Sequence, residues 1–546
     1  MNIAATIMAR KARLAPAETT DVTVEKDLRI PTPDGIVLLA DHYAPQGLGN
    51  RPTILIRSVY TDRTKGGFIG RLIAERGFHV VIVSGRGTCG SGGALTPFVS
   101  ERDDGRAVLA WLRDQPWSTG KLGTFGQSYN GYTQWAIAAE AGPELQAMTT
   151  SLIGSNAYDL LYPGGALALE LCLGWITMVA NQEKPVVAYL STVARGGKKR
   201  AQAARRLPLT EADTIAIGAT APHWRDWIDH PHADDPWWAR ADHSTTVAQV
   251  TAPNHLISGW DDIALPGLVR DYRALQQAGR EPYLTIGPWQ HWDAELSLTT
   301  LRESITWLRA HLLNDRRQLR QAPVRLYVTG AREWRDLEVY PPAEARPQRL
   351  HLHPDGGLAP GLPAQSTPDR YRFDPADPTP AVAGMSRLIG IPRKTGDGVL
   401  ARRDDVLTYT SDPLPADLEV IGIPSAELHV TSSLAHTDFY VRISDVAPAG
   451  AITHVSDALR RLIADQPIDE MVEIELAPVA HRFERGHHIR VQVTSGAYPR
   501  WDRNLGTGQP PATAITMRTA DQQLHHTPTR PSAVILPVVP PTATQP

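Results

Sequence analysis

A chain of 546 residues with 42% hydrophobic and 21% charged residues has a globular composition, and at roughly 100–200 residues per domain it should hold two to four domains. Lys and Arg number 55 against 58 Asp and Glu, a formal charge of −3, which argues against nucleic acid as a partner because a phosphate-binding surface needs a basic excess. Mean hydropathy is −0.25, no run of about 18 apolar residues suggests a membrane span, and the two cysteines, Cys89 and Cys172, cannot build a disulfide framework and fit a reducing compartment.

The first 13 residues place Arg10, Lys11 and Arg13 after an apolar stretch, the reverse of a secretory signal. Residues 1–25 are therefore expected to be a flexible arm and the protein cytoplasmic. Residues 28–30 and 36–40 read as a hairpin around Pro33-Asp34-Gly35. Thr53-Ile54-Leu55-Ile56 and Val80-Val81-Ile82-Val83 are continuous apolar runs, the mark of parallel strands buried on both faces. Between them residues 68–76 have helical spacing and end at Gly77, a good C-terminal cap. Residues 103–113 form a second amphipathic helix, and 121–125 a strand running into Gly126. Alternating strands and helices of this kind build an α/β sheet.

After about residue 150 the rhythm changes. Residues 160–245 are helical in spacing and rich in Ala, Leu, Arg and Trp. Alternation resumes with strands at 255–257 and 283–286, separated by a helix over 265–278, so the helical stretch looks inserted into one sheet as a cap would be. From Val324 onward, residues 324–328, 350–353, 418–421, 426–430, 438–443, 472–476 and 489–493 read as strands. The longest helix among them spans 455–463, which makes this an all-β sandwich. The Pro-rich tail after Pro537 is expected to be disordered.

Gly126-Gln127-Ser128-Tyr129-Asn130-Gly131 sits where a buried strand meets a helix. A serine on such a turn is lifted out of the sheet, and helix N–H groups are aimed at the reacting centre. Asn130 holds the place of the second glycine in the generic Gly-x-Ser-x-Gly pattern. Taken alone, the motif is only moderately specific, and a Gly/Ser turn without chemistry is the alternative. Two downstream segments change that balance. Gly259-Trp260-Asp261-Asp262 and Gly287-Pro288-Trp289-Gln290-His291 each follow an apolar strand, in the chain order nucleophile, acid, histidine. Both lie past the C-terminal ends of strands, where open α/β sheets place their sites. On these grounds Ser128 is the nucleophile, His291 the base, and either Asp261 or Asp262 the acid.

Together with Trp111-Leu112, Gln115-Pro116-Trp117-Ser118-Thr119-Gly120, Arg86-Gly87, Ser91-Gly92, Thr437-Asp438-Phe439 and Gly486-His487, these motifs resemble the serine-hydrolase family of cocaine esterases, X-Pro dipeptidyl-peptidases and α-amino-acid ester hydrolases. The likeness spans residues 26–538. It implies an α/β-hydrolase core (26–150 and 250–320), an inserted helical cap (151–249) and a C-terminal jelly roll (321–546). It also implies that Asp262 rather than Asp261 is the acid, and that Tyr60 and the N–H of Tyr129 form the oxyanion hole.

The chain departs from the family's pattern at two places. Ser84-Gly85 precedes Arg86 where relatives often carry an acid, and Ala264 replaces the aromatic that lines the acyl pocket of the cocaine-cleaving members. The carboxylate cluster that would hold a substrate ammonium has no matching motif, with Asp159, Glu170 and Asp261 as candidates. The expected activity is hydrolysis of a small-molecule ester or amide through an acyl-enzyme, with no metal or organic cofactor. Acyl transfer, X-Pro peptidase activity and a catalytically silent binding protein are the alternatives, and monomer and homodimer both stay open. His230-Pro231-His232-Ala233-Asp234-Asp235 carries metal-type residues but reads as a loop. Asp103-Asp104 and Arg316-Arg317 read as solvated helix faces, and the tryptophans at 224, 227, 237 and 238 mostly as core.

Overall fold

Two six-residue runs with no exposed position form the middle of the first sheet. In the computed structural model, which describes residues 3–382 and 398–540, they pair in parallel with Ile54 opposite Val80 and Ile56 opposite Ile82. The strands around them are β1 (Val22–Pro31), β2 (Val37–Pro45), β3 (Thr53–Ser58), β4 (His79–Ser84), β5 (Leu122–Gln127), β6 (Leu145–Ser151), β7 (Asn254–Asp261) and β8 (Tyr283–Gln290). They lie in the order β1-β2-β4-β3-β5-β6-β7-β8, antiparallel from β1 to β4 and parallel from β4 to β8. Parallel strands need crossovers, and helices supply them. Among these are α2 (Phe68–Ala74), α3 (Glu101–Arg113), α4 (Tyr129–Ala138) and the helices Leu265–Gln277 and Ala294–Leu312.

The described chain divides into two compact units. The first holds residues up to Leu160 with Met178–Thr192 and Asp234–Pro323; the second holds Leu161–Thr177, Val193–Ala233 and the chain from Val324 onward. The helical stretch 151–249 contributes to both. In the second unit the helix Pro222–Asp229 buries Trp224 and Trp227, with Trp224 Nε1 donating to the Leu209 carbonyl at 2.9 Å.

The all-β part of the second unit is built mainly from antiparallel pairs, with Gly357–Ala359 parallel to Leu407–Ser411. Ser425–Ser432 alternates inward and outward and pairs with Asp469–Glu475 and Ala520–Thr527. His436–Val446 pairs with His488–Thr494 on one side and Ile452–Ile463 on the other. Val420, Leu428, Val430, Phe439, Val441, Phe483, Val491 and Leu536 lie in one apolar core. Arg461 is held between Asp438 (2.8 Å) and Asp502 (3.0 Å) in the same unit, so three buried charges satisfy one another.

Several expectations are corrected. The segment expected to be a helix at 455–463 is the strand Ile452–Ile463, with Val441 opposite Ala458 and Phe439 opposite Arg460. Val455, Ala458, Leu459 and Leu462 recur at helical spacing, but pairing with a neighbouring strand overrides that local signal. The expected N-terminal arm contains a helix, α1 (Ile3–Lys11), followed by the start of β1. Ala5 and Ala12 are buried among Leu72, Phe78 and Trp307, while Arg10 and Lys11 sit in the last turn, where cations favour the helix dipole. The tail is a strand through Val539, paired with Arg346–Leu352; residues 541–546 lie outside the described residues. Asp104, expected on a solvated face, is buried and paired with Arg86, whose Nε donates to Oδ2 at 3.1 Å; Asp103 is exposed. No described helix is long and apolar enough to cross a membrane.

Candidate active site

The chain leaves β5 at Gln127 and enters α4 at Tyr129, and the single residue between them is Ser128, with φ 55° and ψ −126°. A non-glycine residue at positive φ is strained, and surrounding contacts must hold it there. Its own N–H donates to the Ser151 carbonyl at 2.8 Å, tying the turn to the end of β6. Gly126 is required by close approach: a Cβ there would lie 2.5 Å from Asn130 Cβ and 2.7 Å from the Asn130 carbonyl oxygen. The strand and helix of the elbow therefore meet with no room for a side chain.

His291 and Asp262 arrive from the ends of β8 and β7. His291 Nε2 lies 3.1 Å from Ser128 Oγ, and His291 Nδ1 lies 2.7 Å from Asp262 Oδ1. Asp262 also accepts from Ser258 Oγ at 2.5 Å through Oδ2 and from the Ala264 N–H at 3.2 Å through Oδ1. Its side chain is 0% exposed, whereas neighbouring Asp261 points to solvent. Gly259 makes the tight junction between the two loops, since a Cβ there would lie 2.2 Å from the Trp289 carbonyl oxygen. A serine, an imidazole and a carboxylate in this line can pass a proton from the hydroxyl to the ring while the carboxylate steadies the resulting cation.

Tyr60 follows β3 and is half-buried, with its ring edge toward the ring of Tyr129 at a centroid distance of 6.4 Å and an angle of 77°. Tyr129 is the first residue of α4, and first-turn amides of a helix have no acceptor within the helix. The Tyr129 phenol turns into the core, accepting from the Phe98 N–H at 2.7 Å and donating to Glu101 Oε1 at 2.8 Å. Burial with the Glu101 carboxylate alongside pushes that phenol well above its usual range, so it stays a donor. Glu101 in turn takes a 2.6 Å ion pair from Arg57, with both side chains 4% exposed. Burial raises the Glu101 carboxyl and Arg57 pulls against it.

Glu101, Arg57, Ser258, Asp62 and Ser58 are site neighbours that sequence reasoning missed. The first could have been suspected from an acidic residue opening a helix that lies next to a buried strand carrying an arginine. The other candidates are dispersed. Asp159 pairs with Arg270, and Glu170 is buried in the second unit. Cys89 is buried, which pushes its thiol up and away from nucleophilic character. Asp235 caps its own short helix by accepting from the Trp237 N–H at 2.9 Å.

One carboxylate behind the acid loop carries a pH prediction. Asp271, on the helix Leu265–Gln277, accepts from the Ser155 N–H at 2.7 Å and from Ser155 Oγ at 2.6 Å, and burial raises its pKa to about 7. A carboxyl that holds its proton more tightly when folded destabilises the fold as that proton is lost. Stability should therefore fall between about pH 4 and the folded value of about 7. Asp271→Asn keeps the oxygen acceptor without the charge. Thermal melts at pH 8 should show the variant melting above the wild type, with the difference vanishing near pH 4.

Residues 34–293 match the family described as X-Pro dipeptidyl-peptidase (S15 family), and residues 319–535 match the X-Pro dipeptidyl-peptidase C-terminal non-catalytic domain. The chain is 30% identical to the cocaine esterase of a Rhodococcus species, over 95% of this chain and 99% of that one. An aminopeptidase from a marine sediment Thaumarchaeota archaeon shares the fold at a TM-score of 0.77 and 24% identity, covering 96% of this chain and 97% of its own. An α-amino-acid ester hydrolase does so at a TM-score of 0.77 and 23% identity, covering 96% and 98%.

Proposed function

Because the chain belongs to the X-Pro dipeptidyl-peptidase (S15) family, and so is a serine hydrolase acting on esters or peptides, we propose that it cleaves carboxylic esters through an acyl-enzyme on Ser128. The observation that carries this reading is the continuous line from Ser128 Oγ to His291 Nε2 (3.1 Å) and from His291 Nδ1 to Asp262 Oδ1 (2.7 Å). Ser128 Oγ attacks the ester carbonyl carbon as His291 Nε2 takes its proton. The tetrahedral oxyanion accepts from the Tyr60 hydroxyl and the Tyr129 N–H. The imidazolium then hands its proton to the leaving alkoxide, and the C–O bond breaks to give the acyl-enzyme. A water attacks this ester in turn, losing a proton to His291, and the acid leaves as Ser128 is restored. The sequence of steps balances without a metal or organic cofactor.

Esters are favoured over X-Pro peptides because two of the carboxylates that could anchor a free amine are otherwise engaged or turned outward. Asp159 pairs with Arg270, and Asp261 is exposed. The 30%-identical relative is named an esterase, in keeping with this preference. A time course on p-nitrophenyl esters of increasing acyl length, run beside Xaa-Pro anilides, tests the reading. A burst of nitrophenol followed by steady turnover is the expected result, with the best acyl length sizing the pocket. Faster cleavage of the anilides would move the enzyme to the peptidase branch. Labelling of Ser128 by a phosphonate without turnover of either substrate would point to transfer onto another acceptor.

A further inference from the structure

The turn that carries Tyr60 is tied to the nucleophile's helix by one carboxylate. Asp62 Oδ2 accepts from Ser58 Oγ at 2.6 Å and from Asn130 Nδ2 at 2.7 Å. With its proton committed to Asp62, Ser58 Oγ offers a lone pair to the Tyr60 N–H, which donates to it at 3.0 Å. A chain of three hydrogen bonds thus runs from the second residue of α4, two positions after Ser128, to the backbone of Tyr60. Hydrogen bonds linked in this way polarise and stiffen one another in a low-dielectric setting.

Two details set this chain of bonds apart from ordinary packing. Asn130 is 8% exposed, and among the described residues its Oδ1 is buried with no hydrogen-bond partner. Leaving an amide oxygen unsatisfied is destabilising, a cost that an apolar residue of similar size would avoid. The benefit that offsets this cost is the Nδ2 bond to Asp62. The carboxylate, for its part, pairs with no lysine or arginine among the described residues, although Arg63 beside it is committed to Asp41 and Asp27. Among the described residues, the partners of its charge are the Ser58 hydroxyl and the Asn130 amide.

We propose that Asp62 is a positioning residue that locks the Tyr60 loop to the Ser128 helix, holding the Tyr60 hydroxyl and the Tyr129 N–H at the spacing one oxyanion requires. The assignment rests on the catalytic reading above. Asp62 touches no reacting atom; it acts through Tyr60. Oxyanion stabilisation depends on donors placed before the reaction starts, and a misplacement of about 1 Å can cost about 10²-fold in rate. The effect therefore belongs in kcat rather than in KM.

The test is a cycle on the full chain with p-nitrophenyl acetate, using wild type, Asp62→Ala, Asp62→Asn, Tyr60→Phe and the Asp62→Ala/Tyr60→Phe double variant. Asp62→Ala should lower kcat by about 10- to 100-fold with KM little changed. Asp62→Asn, which keeps an oxygen for both donors, should recover most of that loss. Tyr60→Phe should cost about 10²–10³ in kcat, and Asp62→Ala should then add almost nothing, because its route to the reaction is already cut. Losses that multiply in the double variant, or a change confined to KM, would overturn the proposal. If Asp62→Ala does not fold, Asn130→Leu breaks one link of the chain and enters the same cycle with the same non-additive expectation. Phosphonate labelling of Ser128 in the wild type separates the two levels. No label rejects the catalytic reading, whereas a label with multiplicative losses rejects only the role of Asp62.

Discussion

Replacing Ser128 with alanine is expected to lower kcat by about 10⁴- to 10⁶-fold while the fold stays in place. The hydroxyl is the atom that faces His291 Nε2 at 3.1 Å, and Cys89 is no substitute for it, being buried with its thiol pushed up. The turn itself does not depend on the hydroxyl, because the bond from the residue 128 N–H to the Ser151 carbonyl is backbone to backbone. What the turn does carry is strain, with φ at 55° and ψ at −126° in a residue that has a Cβ. Strain of this kind costs about 1–3 kcal/mol. Ser128→Gly should therefore be as inactive as Ser128→Ala and yet unfold at a higher temperature than the wild type. Pre-steady-state nitrophenol release and thermal melts on both variants separate the two effects. A burst that survives in the alanine variant would remove Ser128 from the mechanism, and a glycine variant less stable than the wild type would remove strain as a feature of the elbow.

The parts of this molecule legible in its sequence are those whose signal is local. The runs at β3 and β4 are apolar without interruption because both faces of a central parallel strand are covered, and that pattern needs no knowledge of the neighbours. Ser128 and His291 stood out because each follows such a strand within a few residues. The choice between Asp261 and Asp262 could not be made from spacing alone, since the two differ by one position and point to opposite environments. Resemblance to a family suggested Asp262, and in the structure Asp262 is the one beside His291. Asp62, Asn130 and Ser58 were not legible: they lie up to 72 positions apart in sequence and meet only when β3 and α4 are brought together. Asp104 read as part of a solvated helix face and Glu101 drew no notice; Arg86 and Arg57 make them buried ion pairs. The strand Ile452–Ile463 was hidden for a related reason. Its apolar residues fall at helical intervals, and only the partner strand His436–Val446 selects the extended form.

Asp262→Asn should lower kcat by about 10⁴, the scale of losing a triad acid, with little change in KM, and the surrounding hydrogen bonds say why the loss is one of charge. Among the described residues, Oδ1 of Asp262 accepts from two donors, His291 Nδ1 and the Ala264 N–H, while Oδ2 accepts from the Ser258 hydroxyl. An asparagine has one oxygen. Placed at the Oδ1 position it satisfies both N–H donors, and its NH₂ then faces Ser258 Oγ, which can rotate to accept. The reverse orientation would set an NH₂ against the Ala264 N–H and is disfavoured. Asparagine should thus preserve the ring's tautomer and the loop's geometry, and only the negative charge disappears. That charge sits on a side chain that is 0% exposed, where attraction to a forming imidazolium is screened far less than in water. The transition state, in which the ring becomes a cation, loses this stabilisation; the bound ester, opposite a neutral ring, does not. Asp261→Asn is the matched control, since Asp261 is exposed and should leave kcat close to the wild-type value. Steady-state kinetics on p-nitrophenyl acetate for the two variants decide the matter. A near-wild-type rate in Asp262→Asn together with a collapse in Asp261→Asn would transfer the acid's role to Asp261. A large loss in both would mean that the loop as a whole, rather than one carboxylate, orients His291.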